Sequence, residues 1–262
     1  MNYEHIILER KENVATLTLN RPEKLNAINE KMIEELGSVM TKVSQDRNVR
    51  VLVITGAGRA FCSGADVGDM AKAAAGATME IRHWTQMAHR VILAITDLER
   101  PVIAKVNGVA VGIGCSLALS ADMIIASKNA QFSLIFSQIG LIPDGGSLFH
   151  LPRLVGACKA KELIFTARKV NAKEAERMGL INKAVPAEKL DNEVSVLTSQ
   201  LAEGPTTAFG MAKKIMNKGL SMDLSSVLEC EASGQALVGT TEDAREGVMA
   251  FLEKRKPQFK GK

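Results

Sequence analysis

Two glycine-containing segments supply the backbone groups that could do chemistry in this chain. The first covers residues 59–66, after a short apolar run, and the second covers residues 107–116. Each predicts a corner between a strand and a helix, where backbone N–H groups stay unpaired and the helix N-terminus adds positive potential. Two such N–H groups that converge on one oxygen form an oxyanion hole. Either segment alone is weak evidence, because glycine-rich corners are common in α/β folds.

The apolar pattern around these segments alternates between strands and helices. Residues 14–19 alternate as a strand does, and residues 51–54 are a short run typical of a buried strand. Apolar positions recur with helical period from Asn29, and a longer helical pattern covers residues 78–98. Strands and helices in alternation predict parallel pairing with crossover helices. The fold class is therefore α/β.

Strand patterns stop at about residue 195, and the remainder is helical. We predict a core over residues 1–195 and a C-terminal helical region over residues 196–262. The C-terminal helices carry more apolar positions than one helix face needs in a monomer. They therefore predict a subunit interface, in a homotrimer or a hexamer.

Composition excludes several classes of protein. The 262 residues are 46% apolar and 24% charged, which is typical of a globular chain, and no apolar stretch is long enough to span a membrane. Four scattered cysteines without CxxC spacing argue against a zinc site or disulfides and favour a reducing cytoplasm. The net charge of +4, with only 4% aromatic residues, suits a phosphate-bearing small molecule better than nucleic acid.

Many short motifs resemble the enoyl-CoA hydratase/isomerase (crotonase) superfamily, in the right order along essentially the whole chain. They include Leu-Asn-Arg-Pro at 19–22, Ala-Phe-Cys-Ser-Gly-Ala-Asp at 60–66, Asn-Gly-Val-Ala at 107–110 and Gly-Leu-Ile-Pro at 140–143. The sequence motif of residues 112–119, Gly-x-Gly-x-x-Leu-Ala-Leu, resembles that of the phenylacetyl-CoA epoxide isomerase branch of the superfamily. The resemblance implies a spiral of ββα units that trimerises through its C-terminal helices. It also implies an acyl-CoA substrate and no separate cofactor, since coenzyme A is part of the substrate.

The resemblance assigns roles to residues of both turns. The N–H groups of Ser63 and Ile113, the latter followed by Gly114, would bind the thioester oxygen as its negative charge grows. The stretch from Gly64 through Ala65 to Asp66 would line the adenine and pantetheine path. Leu25 and Ala27 would line the same path. Lys24 and Lys256 would bind the phosphates of coenzyme A, with Lys256 reaching them across a subunit boundary. Plain surface charge is the alternative for both lysines.

Two departures from the family pattern bear on the reaction. Hydratases of this family use two glutamates to orient and polarise a water molecule. The matching positions here are Ser116 and Phe136. Serine is a poor base at neutral pH and phenylalanine is none, so ordinary hydration is disfavoured.

Asp144 is the carboxylate that remains in a pocket-forming segment, and relatives that shift double bonds carry an aspartate in this turn. One carboxylate can remove a proton at one carbon and return it at another while the oxyanion hole stabilises the dienolate. The alternative is an N-cap for the next helix. A dehalogenase-like relative pairs such an aspartate with a histidine and a tryptophan. That tryptophan position is Phe136 here, which leaves the roles of His83 and His89 open.

We therefore predict an acyl-CoA double-bond isomerase. The alternatives are a hydratase or hydrolase of an unusual enoyl-CoA, and a weakly catalytic CoA- or RNA-binding homologue. Loss of both glutamates motivates the last of these, whereas Asp144 and the two glycine turns argue against it. The variable stretch between Gly68 and Trp84 is expected to line the acyl pocket.

Overall fold

Two sheets form from strands whose burial follows their sequence patterns. The computed structural model describes residues 3–69 and 78–262, so residues 70–77 of the predicted acyl-pocket stretch lie outside the described residues. Half-buried and buried residues alternate along Val14–Leu19, whereas Val51–Gly56 is buried throughout, as expected for an inner parallel strand. The strands are β1 (Ile6–Lys11), β2 (Val14–Leu19), β3 (Val51–Gly56), β4 (Ala60–Cys62), β5 (Val102–Val106), β6 (Val109–Val111), β7 (Met123–Ser127), β8 (Gln131–Ser133), β9 (Val170–Asn171) and β10 (Lys183–Val185).

The larger sheet has the order β1-β2-β3-β5-β7-β10 and the smaller one the order β4-β6-β8-β9. Only the hairpin β1–β2 and the pair β8–β9 are antiparallel among the described strand pairs; the others are parallel. Consecutive strands such as β3 and β4 therefore lie in different sheets. Connections between strands pass through a turn or a helix. Because β4 and β6 are parallel, the two glycine turns that follow them lie at the same end of the smaller sheet.

The helices begin and end close to the predicted positions. Asn29 caps the first of them, since its side chain accepts the Met32 N–H at 2.9 Å. The helices are α1 (Glu30–Gln45), α2 (Thr78–Thr96), α3 (Ile113–Leu119), α4 (Ser147–Val155), α5 (Ala157–Thr166), α6 (Ala172–Arg177), α7 (Leu190–Ala202), α8 (Thr206–Gly219), α9 (Leu224–Val238) and α10 (Glu242–Leu252). A short 3-10 helix covers Ile135–Ile139. The predicted α/β class is confirmed, and within the described residues no helix is long and apolar enough to cross a membrane.

The chain is helical after β10, and α7 begins at Leu190, six residues before the predicted helical region 196–262. Asp191 and Glu193 in its first turn favour this earlier start, because acidic side chains stabilise a helix N-terminus. The proposed division at residue 195 falls inside α7 and stays a prediction. Many apolar side chains of α8, α9 and α10 are exposed in the single chain, among them Met216, Leu224, Leu228, Leu237, Val248 and Phe251.

A buried ion pair attaches α8 to the core. The Lys213 ammonium donates to the Asp122 carboxylate at 2.9 Å and to Ile95 O at 3.0 Å, and Asp122 also accepts the Val102 N–H at 2.7 Å. Burial lowers the pKa of Lys213 and raises that of Asp122, and their mutual attraction opposes both shifts. Asp122 is therefore structural, and α8 depends on it.

Replacing Lys213 with methionine should lower the free energy of unfolding by about 3 kcal/mol, because it leaves the Asp122 carboxylate buried without its cation. Lys214→Met is the matched control: its ion pair with Glu99 is half-exposed, and losing it should cost less than about 1 kcal/mol. Urea denaturation at one protein concentration measures both. Equal losses for the two variants would contradict a special role for the buried pair.

Candidate active site

Two asparagine amides, of Asn26 and Asn107, fix the first glycine turn. Asn26, which is fully buried, donates from Nδ2 to Ala57 O at 2.9 Å and to Ala60 O at 2.8 Å. Asn107, which precedes β6, donates from Nδ2 to Gly56 O at 2.9 Å and to Ala60 O at 3.2 Å. The carbonyl groups between β3 and β4 are thus satisfied by side chains from both sides. The turn after β4 therefore begins from a fixed position.

The first and second turns pack directly against each other. A Cβ atom at position 112 would lie 3.8 Å from Gly64 Cα, and one at position 64 would lie 3.2 Å from Val111 O. Helix α3 begins immediately afterwards, at Ile113. As the first helical residue, Ile113 has no intrahelical acceptor for its N–H. The Ile113 amide is therefore available at the point where the two turns meet.

The structure does not leave the Ser63 amide available, contrary to the sequence prediction. The Ser63 N–H donates to Leu25 O at 3.0 Å. Further along the turn, Gly64 O accepts the Ile28 N–H and the Asp66 N–H donates to Ile28 O, at 2.8 Å each. Ala65 lies between these two bonds, and its N–H has no backbone acceptor among residues 3–69 and 78–262. The amides of Gly64 and Ala65 are therefore both unpaired within the described residues, and Ala65 is the one that lies between the two bonds to Ile28.

The third segment brings Asp144 to this junction. A Cβ at position 145 would lie 2.7 Å from Ser116 Cβ and 3.3 Å from Ile113 Cγ1, so the turn that follows Asp144 packs on the start of α3. The Asp144 Oδ1 atom is buried and has no hydrogen-bond partner within the described part of the chain. Burial raises the pKa of Asp144 to about 6. This carboxyl group can therefore exchange a proton near neutral pH.

The N-cap alternative for Asp144 is wrong. Helix α4 begins at Ser147 with Gly146 as its N-cap, and no side chain caps it. Asp144 instead uses its backbone carbonyl, which accepts both the Ser147 N–H at 3.1 Å and the Ser147 hydroxyl at 2.8 Å. Its side chain therefore takes no part in capping α4.

His89 holds the Asp144 turn from helix α2. The Gly145 N–H donates to His89 Nε2 at 3.3 Å, which requires a neutral imidazole with its proton on Nδ1. The sequence leaves the role of His89 open, and this contact indicates that His89 positions the turn that carries Asp144. His83, on the same helix, is exposed, whereas His150 packs behind the turn near Gly146. Burial, together with the charge of Arg153, lowers the pKa of His150.

Comparison with known proteins matches this arrangement to one family over nearly the whole chain. A family model described as "Enoyl-CoA hydratase/isomerase" matches residues 9–262. The chain belongs to the enoyl-CoA hydratase/isomerase family. The described fold is that of its members: an enoyl-CoA hydratase from Bacillus anthracis superposes with a TM-score of 0.94 at 34% identity, covering 99% of this chain and 100% of the other.

The relatives carry names of both reaction types. A "Probable enoyl-CoA hydratase" from Rhodobacter capsulatus is 42% identical over 100% of both chains, and a "Crotonyl-CoA hydratase" from Syntrophomonas wolfei is 40% identical over 99% of both. A "1,2-epoxyphenylacetyl-CoA isomerase" from Escherichia coli is 38% identical, again over 99% of both. A crystal structure of a putative enoyl-CoA hydratase from Streptomyces coelicolor, at 38% identity, has a TM-score of 0.95 and covers 100% of this chain and 96% of the other.

The two positions where hydratases of this family are expected to carry glutamate are closed to solvent here. Ser116 is fully buried, and its hydroxyl donates to Gly112 O at 3.3 Å. Phe136 lies in the 3-10 helix and belongs to the apolar core. Neither position carries a carboxyl group. Of the two carboxyl groups in the three segments, that of Asp66 is paired with Arg21, whereas Asp144 Oδ1 has no partner within the described residues.

The predicted CoA path is organised around an ion pair that sequence analysis did not identify. The Arg21 guanidinium donates from Nη1 to Asp66 Oδ2 at 2.9 Å and to Ala27 O at 2.8 Å. Burial acts to raise the pKa of Asp66, but the hydrogen bonds from Arg21 and the Gly68 N–H outweigh it and lower that pKa. Leu25 adopts a left-handed backbone conformation, with φ of 51°. These contacts place the backbone of residues 24–27 beside the first turn.

The two predicted phosphate ligands lie in different places. Lys24 is exposed next to the first turn, where its carbonyl accepts the Ser63 hydroxyl at 3.3 Å. Lys256 pairs with Glu203 at 2.7 Å and lines a separate cavity of about 450 Å³ with Arg50. None of the other predicted site residues lines that cavity. Within one chain, Lys256 is therefore not brought to the acyl-CoA site.

The remaining reactive side chains take no part in this arrangement. Burial raises the pKa of both the Cys62 and the Cys115 thiol to about 12, so neither is a thiolate at neutral pH. Cys158 is exposed. In residues 3–69 and 78–262 we find no cluster of three or more His, Cys, Asp or Glu side chains that could hold a metal ion.

Replacing His89 with leucine should lower kcat about ten- to hundredfold and leave KM for acyl-CoA nearly unchanged, because the Asp144 turn loses its anchor while the backbone donors stay in place. His89→Gln offers an amide oxygen near the Nε2 position and should restore most of the rate. His83→Leu, on the exposed face of the same helix, is the matched control. Equal rates for His89→Leu and His89→Gln would refute the positioning role.

Proposed function

We propose that this protein is an acyl-CoA double-bond isomerase. The Ala65 and Ile113 N–H groups bind the thioester oxygen, and Asp144 removes a proton from the α or γ carbon of the acyl chain. The electron pair of the broken C–H bond moves toward the thioester oxygen, and the N–H donors stabilise the resulting enolate. Asp144 then returns the proton at the other carbon, so that nothing is added and nothing is oxidised. Coenzyme A enters as part of the substrate.

The observation that carries the proposal is the buried Asp144 Oδ1, which has no hydrogen-bond partner within the described residues and belongs to the turn that packs on the start of α3. The Asp144 pKa of about 6 leaves the carboxyl group ionised at neutral pH, and it is a strong enough acid once protonated to return the proton. Two carboxylates suit hydration, because a water molecule must be both oriented and deprotonated. Ser116 and Phe136 provide neither of them.

A hydratase or hydrolase of an unusual enoyl-CoA is the second candidate, with Asp144 acting on a water molecule. It is supported by the relatives that are 42% and 40% identical, both of which carry hydratase names. A CoA- or RNA-binding homologue without catalysis has less support. A buried and unpartnered carboxylate is costly to keep in a chain that only binds.

Replacing Asp144 with asparagine should abolish proton transfer while sparing binding. We expect uptake of solvent deuterium at the α or γ carbon to fall at least about a hundredfold, the usual contribution of a general acid–base group. Affinity for acyl-CoA should persist, because the Ala65 and Ile113 amides remain. The melting temperature should hold or rise, since a buried charge is removed. Unchanged exchange in the folded variant would remove Asp144 from the mechanism.

The pH dependence of kcat/KM should report the Asp144 carboxyl group. Its pKa in the folded protein lies above the ordinary value of 3.8, so the base is protonated and inactive at low pH and becomes active as pH rises through about 6. We expect a single acid limb with an apparent pKa of about 6 and a plateau above pH 7. An acid limb near pH 4, the range of an exposed carboxyl group, would contradict the burial argument.

We also propose a homotrimer or a dimer of trimers, formed through α8, α9 and α10. The exposed apolar side chains on these helices, including Leu224 at 72%, Leu237 at 64% and Phe251 at 84% exposure, support a covered face. Light scattering at micromolar concentration should give three or six times the chain mass of 28.2 kDa. A monomer mass would overturn this part of the proposal.

A further inference from the structure

Arg50 carries a buried guanidinium nitrogen that nothing in the described chain satisfies. The residue precedes β3 and is only 8% exposed. Its Nη1 donates to Ala202 O, but its Nη2 has no partner within residues 3–69 and 78–262. The guanidinium is charged at every physiological pH, and an unpaired buried charge is costly. Such a group in a native structure points to a missing anionic partner.

A second orphaned polar atom lines the same cleft. Thr206, the first residue of α8, is 6% exposed, and its Oγ1 has no hydrogen-bond partner among the residues described. Arg50 and Thr206 both line a cleft of about 1030 Å³ between the ends of α1 and α2, the start of α8 and the C-terminal segment 260–262. Because α8 begins at Thr206, the unpaired N–H groups of its first turn also lie beside the cleft.

The charges of the cleft favour an anion. Its basic side chains are Arg47, Arg50, Arg100, Lys260 and Lys262, and its acidic side chains are Asp97 and Glu99. Glu99 is paired with Lys214 at 2.9 Å, and Lys260 is paired with Glu242 at 3.6 Å, so these two residues do not alter the balance. The C-terminal ends of α1 and α2 contribute negative potential from their unpaired carbonyl groups. Part of it is offset, because Arg100 donates to Val43 O and Lys213 donates to Ile95 O. The net potential is therefore positive, with Arg50 at the buried end.

We propose that this cleft is a binding site for a phosphate group, either free or on a small phosphoester, separate from the acyl-CoA site. Arg50 Nη2 donates to one phosphate oxygen, and the Thr206 hydroxyl and the α8 N-terminus donate to others. None of Ala65, Ile113, His89 and Asp144 lines the cleft, so the site acts independently of the proposed reaction.

The test is a calorimetric titration of the full-length protein with inorganic phosphate, without CoA and at constant ionic strength. We expect saturable binding that chloride does not reproduce. Thr206→Val keeps the side-chain shape and removes the hydroxyl, so it should weaken Kd at least about tenfold. Thr207→Val is the matched control: this neighbour is exposed and already donates to Gly261 O, so Kd should change less than about threefold.

Arg50→Met should abolish the binding, with its fold checked by melting temperature. If that variant does not fold, Thr206→Val against Thr207→Val decides the question. The absence of saturable binding to the unaltered protein would overturn the proposal. So would equal affinities for the two threonine variants, which would mark the binding as adventitious.

Discussion

Strand β4 and helix α3 approach so closely that a Cβ at position 114 would lie 2.5 Å from Cys62 O. A Cβ at position 145 would likewise lie 2.7 Å from Ser116 Cβ. No side chain fits at such separations, so these positions require glycine. The close approach brings the turn after β4, the start of α3 and the Asp144 turn to one point. The proposed reaction requires this proximity, because two N–H donors and one carboxylate must act on a single thioester.

The site also carries an electrostatic cost that the rest of the fold sustains. Burial raises the pKa of Asp144, and its Oδ1 has no hydrogen-bond partner within the described residues. The Asn26 and Asn107 amides, and the Lys213 ion pair with Asp122, are by contrast satisfied. The polar groups that hold the turns and α8 are thus paired, whereas the carboxyl group proposed for catalysis keeps one unpaired oxygen, as is common at functional sites.

The sequence predicts most of the fold because its signals are local. Alternation marks β2, helical periodicity from Asn29 marks the start of α1, and glycine turns mark the ends of β4 and β6. Contacts between distant segments were not predictable in this way. The choice of Ala65 over Ser63 depends on hydrogen bonds to residues 25 and 28, and the role of His89 depends on a contact 56 residues away. Neither leaves a periodic pattern in the chain.

The central claim is that this site moves a proton and adds no water. Mass spectrometry of a β,γ-enoyl-CoA and its conjugated α,β isomer, each incubated with the purified protein in heavy water, tests it most directly. We expect the two isomers to interconvert and to take up solvent deuterium, with hydroxyacyl-CoA formed far more slowly. Rapid formation of hydroxyacyl-CoA from the conjugated substrate, without exchange at the γ carbon, would contradict the account.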